Sequence, residues 1–269
     1  MISFENGKRI SDVVISTAFG HGGDGLFPYT LWPSYRRLIE TAKKRHTTVI
    51  AKSATTYERI GNFRMKNPLT WRFIRRLPER GMLNAYGLTN DGAFSCAQKI
   101  KRAIKNGLQI IPNFYPEFAR GLRMATTQTT YAISLYQTIL GDDFWVIELN
   151  FSCPNSQEAI AENMSQAICL VKTIKQEYPW LRIIAKISVV HPPGFTRELE
   201  QAGADIIHAV NTVPFNLIFP DRKSPLEKVG GGGVSGGPAF VSAFRYNERL
   251  KKGTKLPIIM GCGISRAED

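Results

Sequence analysis

Short apolar segments rich in β-branched residues alternate along this chain with longer segments that have a helical pattern. The apolar segments predict strands, and the longer segments predict helices between them. The predicted strands are Val13–Ala18, Thr48–Ala51, Leu108–Pro112, Trp145–Leu149, Ile183–Ile187, Asp205–Val210 and Pro257–Met260. The predicted helices are Pro33–Lys44, Ala93–Lys105, Thr126–Leu140, Glu158–Glu177, Phe195–Ala202 and Pro238–Leu250. This alternation indicates a parallel sheet covered by helices.

Two architectures, a doubly wound sheet and a (β/α)₈ barrel, share this order of elements. Polar residues follow nearly every predicted strand, among them Lys52, Asn150 and Asn211. A barrel gathers the carboxyl ends of all its strands on one face, whereas an open sheet uses mainly its switch point. The pattern therefore favours an α/β fold of the (β/α)₈ TIM-barrel type. We expect residues 1–269 to form a single barrel domain that is incomplete at its C-terminus, because no eighth strand and helix follow the seventh strand.

The composition is that of a globular protein of the cytoplasm. Apolar residues make up 43% and aromatic residues 10% of the chain, which are ordinary values. No uninterrupted apolar segment of about 18 residues or more is present, and the N-terminus lacks a signal-peptide pattern, so we predict no membrane association. Four widely spaced cysteines without a CxxC pair disfavour structural zinc and a disulfide framework. The histidines have no metal-ligand spacing and are interpreted as structural or surface residues; they are His21, His46, His191 and His208.

The net charge of +13 arises from 35 Lys and Arg against 22 Asp and Glu. The basic residues are concentrated in residues 36–37, 43–45, 72–80 and 99–105. One interpretation is solvated outer faces of helices. The other is a surface for RNA or another polyanion. No aromatic-interleaved RNA motif accompanies the charge, so the sequence favours the first interpretation.

A strand end followed by a cysteine is the most distinctive motif. The predicted strand Trp145–Leu149 leads through Asn150 to Cys153 and Pro154. Proline lacks a backbone N–H and discourages continuation of the strand, so Cys153 lies where catalytic side chains gather in α/β enzymes. A thiol with a pKa near ~8.5 can serve as nucleophile or general base in an electropositive environment. The alternative is a buried, inert side chain.

Two glycine segments are candidate phosphate sites. Gly230–Pro238 precedes a predicted helix, and Gly261–Ile264 follows the last predicted strand. Glycines let backbone N–H groups approach an anion closely, and a helix N-terminus adds a favourable dipole. Neither segment matches a Walker loop or a dinucleotide fingerprint, and the first has a flexible surface loop as its alternative.

Lysines and asparagines at strand ends complete the candidate site. Lys52 and Lys186 each end an apolar strand, where a ligand with electron-rich or anionic groups would offset the cost of burying an ammonium. The alternative is a lysine that reaches out to solvent. Amide side chains offer both donors and acceptors, which suits a planar heterocycle with alternating C=O and N–H groups. These amides are Asn84, Asn150, Asn155 and Asn211.

The segment Glu148–Asn155 resembles the catalytic-loop signature of dihydroorotate dehydrogenases, in the soluble class that uses cysteine as base. The membrane-associated class carries serine at this place. The similarity extends from Thr17 to Gly263 and implies a (β/α)₈ barrel that holds FMN. It also implies oxidation of dihydroorotate to orotate in pyrimidine biosynthesis. Cys153 would take the C5 proton of dihydroorotate while hydride passes from C6 to the flavin.

The resemblance assigns further roles residue by residue. The flavin would contact Lys52, Ser53 and Lys186. The pyrimidine would contact Asn84, Gly87, Leu88, Asn150, Asn155, Asn211 and Thr212. The FMN phosphate would lie against Ser235, Gly236, Cys262 and Gly263. The cofactor site would also include Ala18, Gly20, Asn150 and Val210.

The chain departs from the family pattern at several places. After Asn155 it lacks the basic or glycine-rich lid of the soluble subclasses, Tyr86 stands where methionine is frequent, and Cys262 replaces a glycine. Two alternatives stay open. The net charge of +13 and a cysteine after an asparagine-bearing strand would suit a flavoenzyme similar to tRNA-dihydrouridine synthases, and the missing last strand and helix would suit a truncated, non-catalytic remnant that binds flavin weakly or not at all. The electron acceptor is also open among fumarate, NAD through a partner subunit, and a quinone. A homo-oligomer is a further possibility that the sequence does not test.

Overall fold

The computed structural model describes residues 1–5, 7–17, 19–23, 32–152 and 157–264. Three of the predicted site residues, Ala18, Cys153 and Asn155, lie outside the described residues. No helix in the described ranges is both long enough and apolar enough to cross a membrane.

The elements are numbered in chain order. The strands are β1 (Ile2–Ser3), β2 (Arg9–Ile10), β3 (Val14–Ser16), β4 (Thr48–Ile50), β5 (Glu58–Arg59), β6 (Ile74–Leu77), β7 (Gly81–Asn84), β8 (Asn90–Asp91), β9 (Gln109–Ile111), β10 (Asn113–Phe114), β11 (Val146–Asn150), β12 (Arg182–Ile187), β13 (Ile206–Ala209), β14 (Val213–Pro214), β15 (Gly233–Ser235) and β16 (Ile258–Met260). The helices are α1 (Pro33–Lys44), α2 (Gly92–Lys105), α3 (Leu122–Leu140), α4 (Gln157–Glu177), α5 (Phe195–Ala202), α6 (Phe215–Ile218) and α7 (Phe240–Lys251).

The predicted alternation of strands and helices is confirmed. All seven predicted strands have counterparts, which are β3, β4, β9, β11, β12, β13 and β16. Helices α1 and α5 have the predicted bounds, and α2, α3, α4 and α7 differ from them by a few residues. Proline at the first position starts α1, because its missing N–H is one that a helix start leaves unbonded. Strand β12 is buried from Ile183 to Ile187, as expected of a parallel strand covered on both faces.

The contacts divide the chain into two compact units. Unit 1 contains Met1–Arg59, Asn90–Leu149 and Trp180–Arg182. In it, β3, β4 and β9 form a parallel sheet in which Val49 lies between Ile15 and Ile110. Strand β10 pairs in parallel with β11, and Asn113 lies opposite Glu148. Helices α2 and α3 pack against each other.

Unit 2 contains Ile60–Thr89, Asn150–Pro179 and Ile183–Asp269. Its parallel strands β12, β13 and β16 pair with Ile184 opposite Ile206 and Ile207 opposite Ile258. A second sheet of this unit is antiparallel, with the strand order β14–β15–β7–β6. The single barrel domain stays a prediction.

The antiparallel sheet was not predicted. Strand β6 has two exposed arginines, Arg75 and Arg76, at its centre, so it lacks an apolar run. Strand β15 lies inside the segment Gly230–Pro238, which we expected to lead directly into a helix. That expectation is partly wrong: Gly233–Ser235 form β15, and α7 begins only at Phe240. The strand forms because it pairs on both sides and buries the Val234 side chain completely.

Candidate functional site

A cluster of two amides and a hydroxyl lies in unit 2 at the carboxyl ends of strands. Asn150 is the last residue of β11 and is buried, and Asn211 follows β13. The Ser152 hydroxyl donates to Oδ1 of Asn150, and Nδ2 of Asn211 donates to Oγ of Ser152 over 2.9 Å. The Ser152 backbone N–H also donates to Oδ1 of Asn150 over 3.1 Å. The predicted residues Asn150 and Asn211 are therefore brought together.

Backbone hydrogen bonds hold this cluster in place. Phe151 N–H donates to the Lys186 carbonyl over 2.9 Å, and Asn211 N–H donates to the Ile187 carbonyl over 3.3 Å. The chain on either side of the amides is thus tied to β12. A rigid strand supplies the precision that a functional site needs.

The segment after β13 carries three predicted site residues in sequence, Val210, Asn211 and Thr212. Val210 is buried and its N–H donates to the Gly261 carbonyl over 3.3 Å. A side chain at Gly233 would overlap the Thr212 side chain, so β15 passes directly over that residue. The segment therefore lies between the turn after β16 and strand β15.

Lys186 is buried within β12, with 2% of its surface exposed. It lies opposite His208 of β13, which is also buried. The alternative that Lys186 reaches out to solvent is therefore wrong. A buried ammonium is costly unless polar or anionic groups compensate it.

The two glycine segments meet at the start of α7. The Gly263 φ angle is +91°, and a Cβ added there would lie 2.6 Å from the Phe240 backbone nitrogen. The Gly236 φ angle is +81°, and a Cβ there would overlap the Arg80 carbonyl oxygen. Only glycine fits both positions. Ser235 ends β15 next to them, with its Oγ 3.5 Å from the Met82 carbonyl oxygen. Backbone close to a helix N-terminus is suited to an anion.

Cys262 lies in the same turn and has a positive φ angle of +68°. Its Sγ lies 3.5 Å from the Val234 carbonyl oxygen. Burial raises the pKa of this thiol to about 11, although a backbone hydrogen bond from Val213 and the charge of Lys186 act in the opposite direction. The thiol is therefore protonated near neutral pH and brings no negative charge to the turn.

Of the predicted pyrimidine residues, Asn84 ends the antiparallel strand β7, and Gly87 and Leu88 follow it. Nδ2 of Asn84 donates to the Gly233 carbonyl over 3.4 Å, which ties it to β15. Gly87 and Leu88 both have positive φ angles, +79° and +58°. The centroid of the Tyr86 ring lies 5.0 Å from that of a neighbouring aromatic ring. The structure places these residues in unit 2 with the amide cluster.

The remaining predicted residues, Gly20, Lys52 and Ser53, lie in unit 1. The Lys52 N–H donates to the Gly20 carbonyl over 2.9 Å, so these two residues are neighbours. Ser53 is buried directly after Lys52. The structure brings the three together at the end of β4.

One buried amide in unit 1 was missed by the sequence interpretation. Asn113 begins β10, directly after the apolar segment of β9, and is 1% exposed. Its Nδ2 donates to Oε1 of the buried Glu148 over 2.6 Å, and its Oδ1 accepts no hydrogen bond within the described part of the chain. The signal was present, because Asn113 follows an apolar strand just as Asn150 does.

His191 has a structural role, as the sequence interpretation expected. It is buried, and its Nδ1 accepts the Ser188 N–H over 3.1 Å. Its Nε2 lies 3.4 Å from Oδ1 of Asn163 on α4, and the Tyr246 hydroxyl of α7 donates to its carbonyl oxygen over 2.8 Å. Burial lowers the pKa of the imidazole to about 4, although a backbone hydrogen bond with Ser188 acts in the opposite direction. The neutral ring therefore joins the segment after β12 to two helices.

Known proteins share the sequence pattern of this chain. The family model described as dihydroorotate dehydrogenase matches residues 36–269. Three relatives carry the name dihydroorotate dehydrogenase B (NAD(+)), catalytic subunit. The relative from Bacteroides thetaiotaomicron is 28% identical over 226 residues, 82% of this chain and 69% of its own length. The relative from Parabacteroides distasonis is 30% identical over 195 residues, which are 70% of this chain and 61% of the relative. The relative from Oceanobacillus iheyensis is 27% identical over 231 residues, which are 82% of this chain and 69% of the relative.

The chain thus spans 61 to 69% of the length of these relatives. The family model covers well over half of the chain, and the resemblance inferred from the cysteine motif agrees with it. The parallel strands and intervening helices of both units agree with a barrel fold. The chain therefore belongs to the dihydroorotate dehydrogenase family of oxidoreductases, and its fold class is the (β/α)₈ barrel type of that family.

Proposed function

We propose that this chain is an FMN-dependent oxidoreductase that oxidises dihydroorotate to orotate in pyrimidine biosynthesis. Family membership and the printed name of the relatives support the substrate. The observation that carries the proposal is the pair of amides Asn150 and Asn211, which are linked through the hydroxyl of Ser152, the residue before Cys153 in the chain. Buried, interlinked amides next to a candidate base are what recognition of a small polar ring requires.

The substrate class follows from the chemistry of the amides. Dihydroorotate carries alternating C=O and N–H groups, which pair with the acceptor and donor atoms of asparagine side chains. Asn150 and Asn211 supply both kinds of atom from buried or partly buried positions. In this proposal the contacts of the pyrimidine also include Asn84, Gly87, Leu88, Asn155 and Thr212, as the resemblance implies.

FMN fits two features of unit 2. The turns at Gly236 and Gly263 pack closely against protein backbone, and Gly263 lies against the start of α7, where backbone N–H groups suit a phosphate. The buried ammonium of Lys186 suits an electron-rich ring. In the proposal Ser235 and Cys262 line the phosphate site. The other cofactor contacts are predicted from the resemblance and are Ala18, Gly20, Lys52, Ser53, Asn150 and Val210. When bound, FMN would supply the acceptor for the hydride of the substrate.

Cys153 is the proposed base. Its thiolate Sγ would accept the proton from C5 of dihydroorotate, and the electron pair of that C–H bond would form the C5=C6 double bond. The hydrogen at C6 leaves with its electron pair, so the ring is oxidised by two electrons. Asn150 and Asn211 would hold the ring so that C5 stays close to Sγ. The protein therefore contributes orientation and a proton acceptor.

Anaerobic reduction of the flavin tests the proposal. The purified chain would be reconstituted with FMN and mixed with dihydroorotate without oxygen, and we expect the visible flavin absorbance to bleach. The Cys153→Ala variant is the control, and it should retain flavin but bleach at least about 100-fold more slowly. Bound flavin that keeps its full absorbance with dihydroorotate would refute the substrate assignment. Failure to bind FMN would favour the alternative of a truncated, non-catalytic remnant.

The printed name of the relatives includes NAD(+) and describes a catalytic subunit. This name favours NAD through a partner subunit over fumarate or a quinone as the final electron acceptor of this chain. Addition of NAD to the reduced chain alone should therefore leave the flavin reduced. The cytoplasmic location and a homo-oligomer stay predictions from the sequence, which disfavours nucleic acid as a partner.

A further inference from the structure

The proposed function gives Ser152 no contact of its own with the substrate or the cofactor. Its hydroxyl lies between two amides that belong to segments 59 residues apart, Asn150 and Asn211. A serine hydroxyl has a single proton to donate. That proton goes to Oδ1 of Asn150, so Oγ can only accept from Nδ2 of Asn211. The direction of both hydrogen bonds is therefore determined.

These directions orient the two amides. Oδ1 of Asn150 accepts from both the N–H and the O–H of Ser152, so the Nδ2 end of this amide is turned away from the serine. Nδ2 of Asn211 is directed at Ser152, so the Oδ1 end is turned away. Asn211 thus turns its acceptor end away from the serine. An N–H on the edge of a pyrimidine is the complementary donor.

We propose that Ser152 is a positioning residue that turns the acceptor end of Asn211 towards an N–H of the pyrimidine. The inference rests on the proposed function, because it concerns the substrate of the same site. Without the hydroxyl, Asn150 keeps the Ser152 backbone N–H as its donor, but the Asn211 amide can rotate by 180° and place its NH₂ against an N–H of the substrate. Each mispaired contact weakens binding of the ring, since a site built for hydrogen bonds rejects a partner that cannot make them.

The expected effect is on how the ring is held and not on the base itself. Loss of the hydroxyl should weaken orotate binding by about tenfold, the size expected when one to two hydrogen bonds are lost or mispaired. The rate of flavin bleaching at saturating dihydroorotate should also fall, because Asn211 helps to hold C5 close to Sγ, while Cys153 itself is unchanged. The pH profile of bleaching should keep its midpoint for the same reason.

The experiment uses the FMN-loaded chain and variants that differ in the hydroxyl. Orotate is titrated into wild type, Ser152→Ala and Ser152→Thr, and the shift of the flavin spectrum gives the affinity. Ser152→Thr keeps the hydroxyl and should bind orotate within about threefold of wild type. Ser224→Ala is the matched control, because the Ser224 hydroxyl of the same unit also makes two hydrogen bonds, with the Gly231 carbonyl and the Leu226 N–H. It should bind orotate as wild type does.

The outcomes separate this inference from the proposed function. Wild-type protein that binds FMN but does not bleach with dihydroorotate would refute the function itself. If wild type bleaches, equal orotate affinity of Ser152→Ala and wild type would overturn the role of Ser152. An affinity loss of the same size in Ser152→Thr or Ser224→Ala would overturn it as well. If Ser152→Ala does not retain FMN, Ser152→Cys replaces it, because a thiol is a weak donor of similar size, and the same outcomes apply.

Discussion

Acidification should destabilise unit 2 through His191. The ring is buried and packs 5.0 Å from the Phe195 ring, and its two nitrogens face the Ser188 backbone and the Asn163 amide. In the neutral ring Nδ1 accepts the Ser188 N–H, and a protonated Nδ1 would donate to the Ser188 carbonyl oxygen, which lies 3.3 Å away. Protonation would also place a charge in a buried position, and this larger effect lowers the pKa of the ring.

The magnitude follows from the two pKa values. The pKa of His191 is about 4 in the folded chain, against an ordinary value of 6.5. The folded state thus binds the proton less well than the unfolded state, so stability is fully present above pH 6.5 and is lost as the pH falls towards 4. At about 1.4 kcal/mol for each pH unit between the two values, the full loss is about 3 kcal/mol. Between pH 7 and pH 5 the loss should be about 2 kcal/mol.

Urea unfolding at pH 7, 6 and 5 measures this loss, because most carboxylates are still ionised over that range. The His191→Gln variant is the control, since its amide can accept the Ser188 N–H and donate to Asn163 without titrating. We expect the variant to lose less than about 0.5 kcal/mol between pH 7 and pH 5. Equal pH dependence of the variant and wild type, or no loss in wild type, would refute the assignment to His191.

Three further predictions concern the glycine turn, an ion pair and a sheet edge. Gly263→Ala should lose bound FMN, measured by the flavin-to-protein absorbance ratio, while Gly230→Ala, which also has a positive φ but open space, should cost only about 1–2 kcal/mol of stability; full flavin content in Gly263→Ala would contradict the clash. Lys175→Met removes the ammonium that lies 3.1 Å from the partly buried Asp205 carboxylate, and urea unfolding should show a free energy of unfolding about 2 kcal/mol lower than that of wild type. Asp205→Asn introduced into the Lys175→Met variant should lower it by less than this amount, because the ion pair is already absent. Arg76→Val removes a charge from edge strand β6 and should promote self-association, and an unchanged sedimentation coefficient would argue against this protective role.

The fold was largely predictable because its parallel strands are buried on both faces. A strand such as β12 has to be apolar over its whole length, and this leaves a clear segment in the sequence. The antiparallel strands β6 and β15 leave no such segment, since one carries paired arginines and the other is rich in glycine. They form because of partners far along the chain, which local pattern does not reveal.

The candidate site was predictable to the same extent. The rule that polar residues follow buried strands identified Asn150, Lys186 and Asn211, and the structure places all of them in unit 2. The same rule applied to Asn113, but the sequence alone did not distinguish it from an ordinary turn residue. Its burial and its contact with Glu148 are tertiary facts.

The sequence by itself determined the order of strands and helices, the cysteine motif and the family. It did so because continuous apolar segments must be buried, and the polar residues that end them must lie at the edge of the sheet. Only the tertiary structure decided that Ser152 bridges Asn150 and Asn211, and that Gly263 lies against the start of α7. Such contacts join segments that are distant in the chain, and their hydrogen-bond directions depend on atoms that only folding brings within 3 Å of each other.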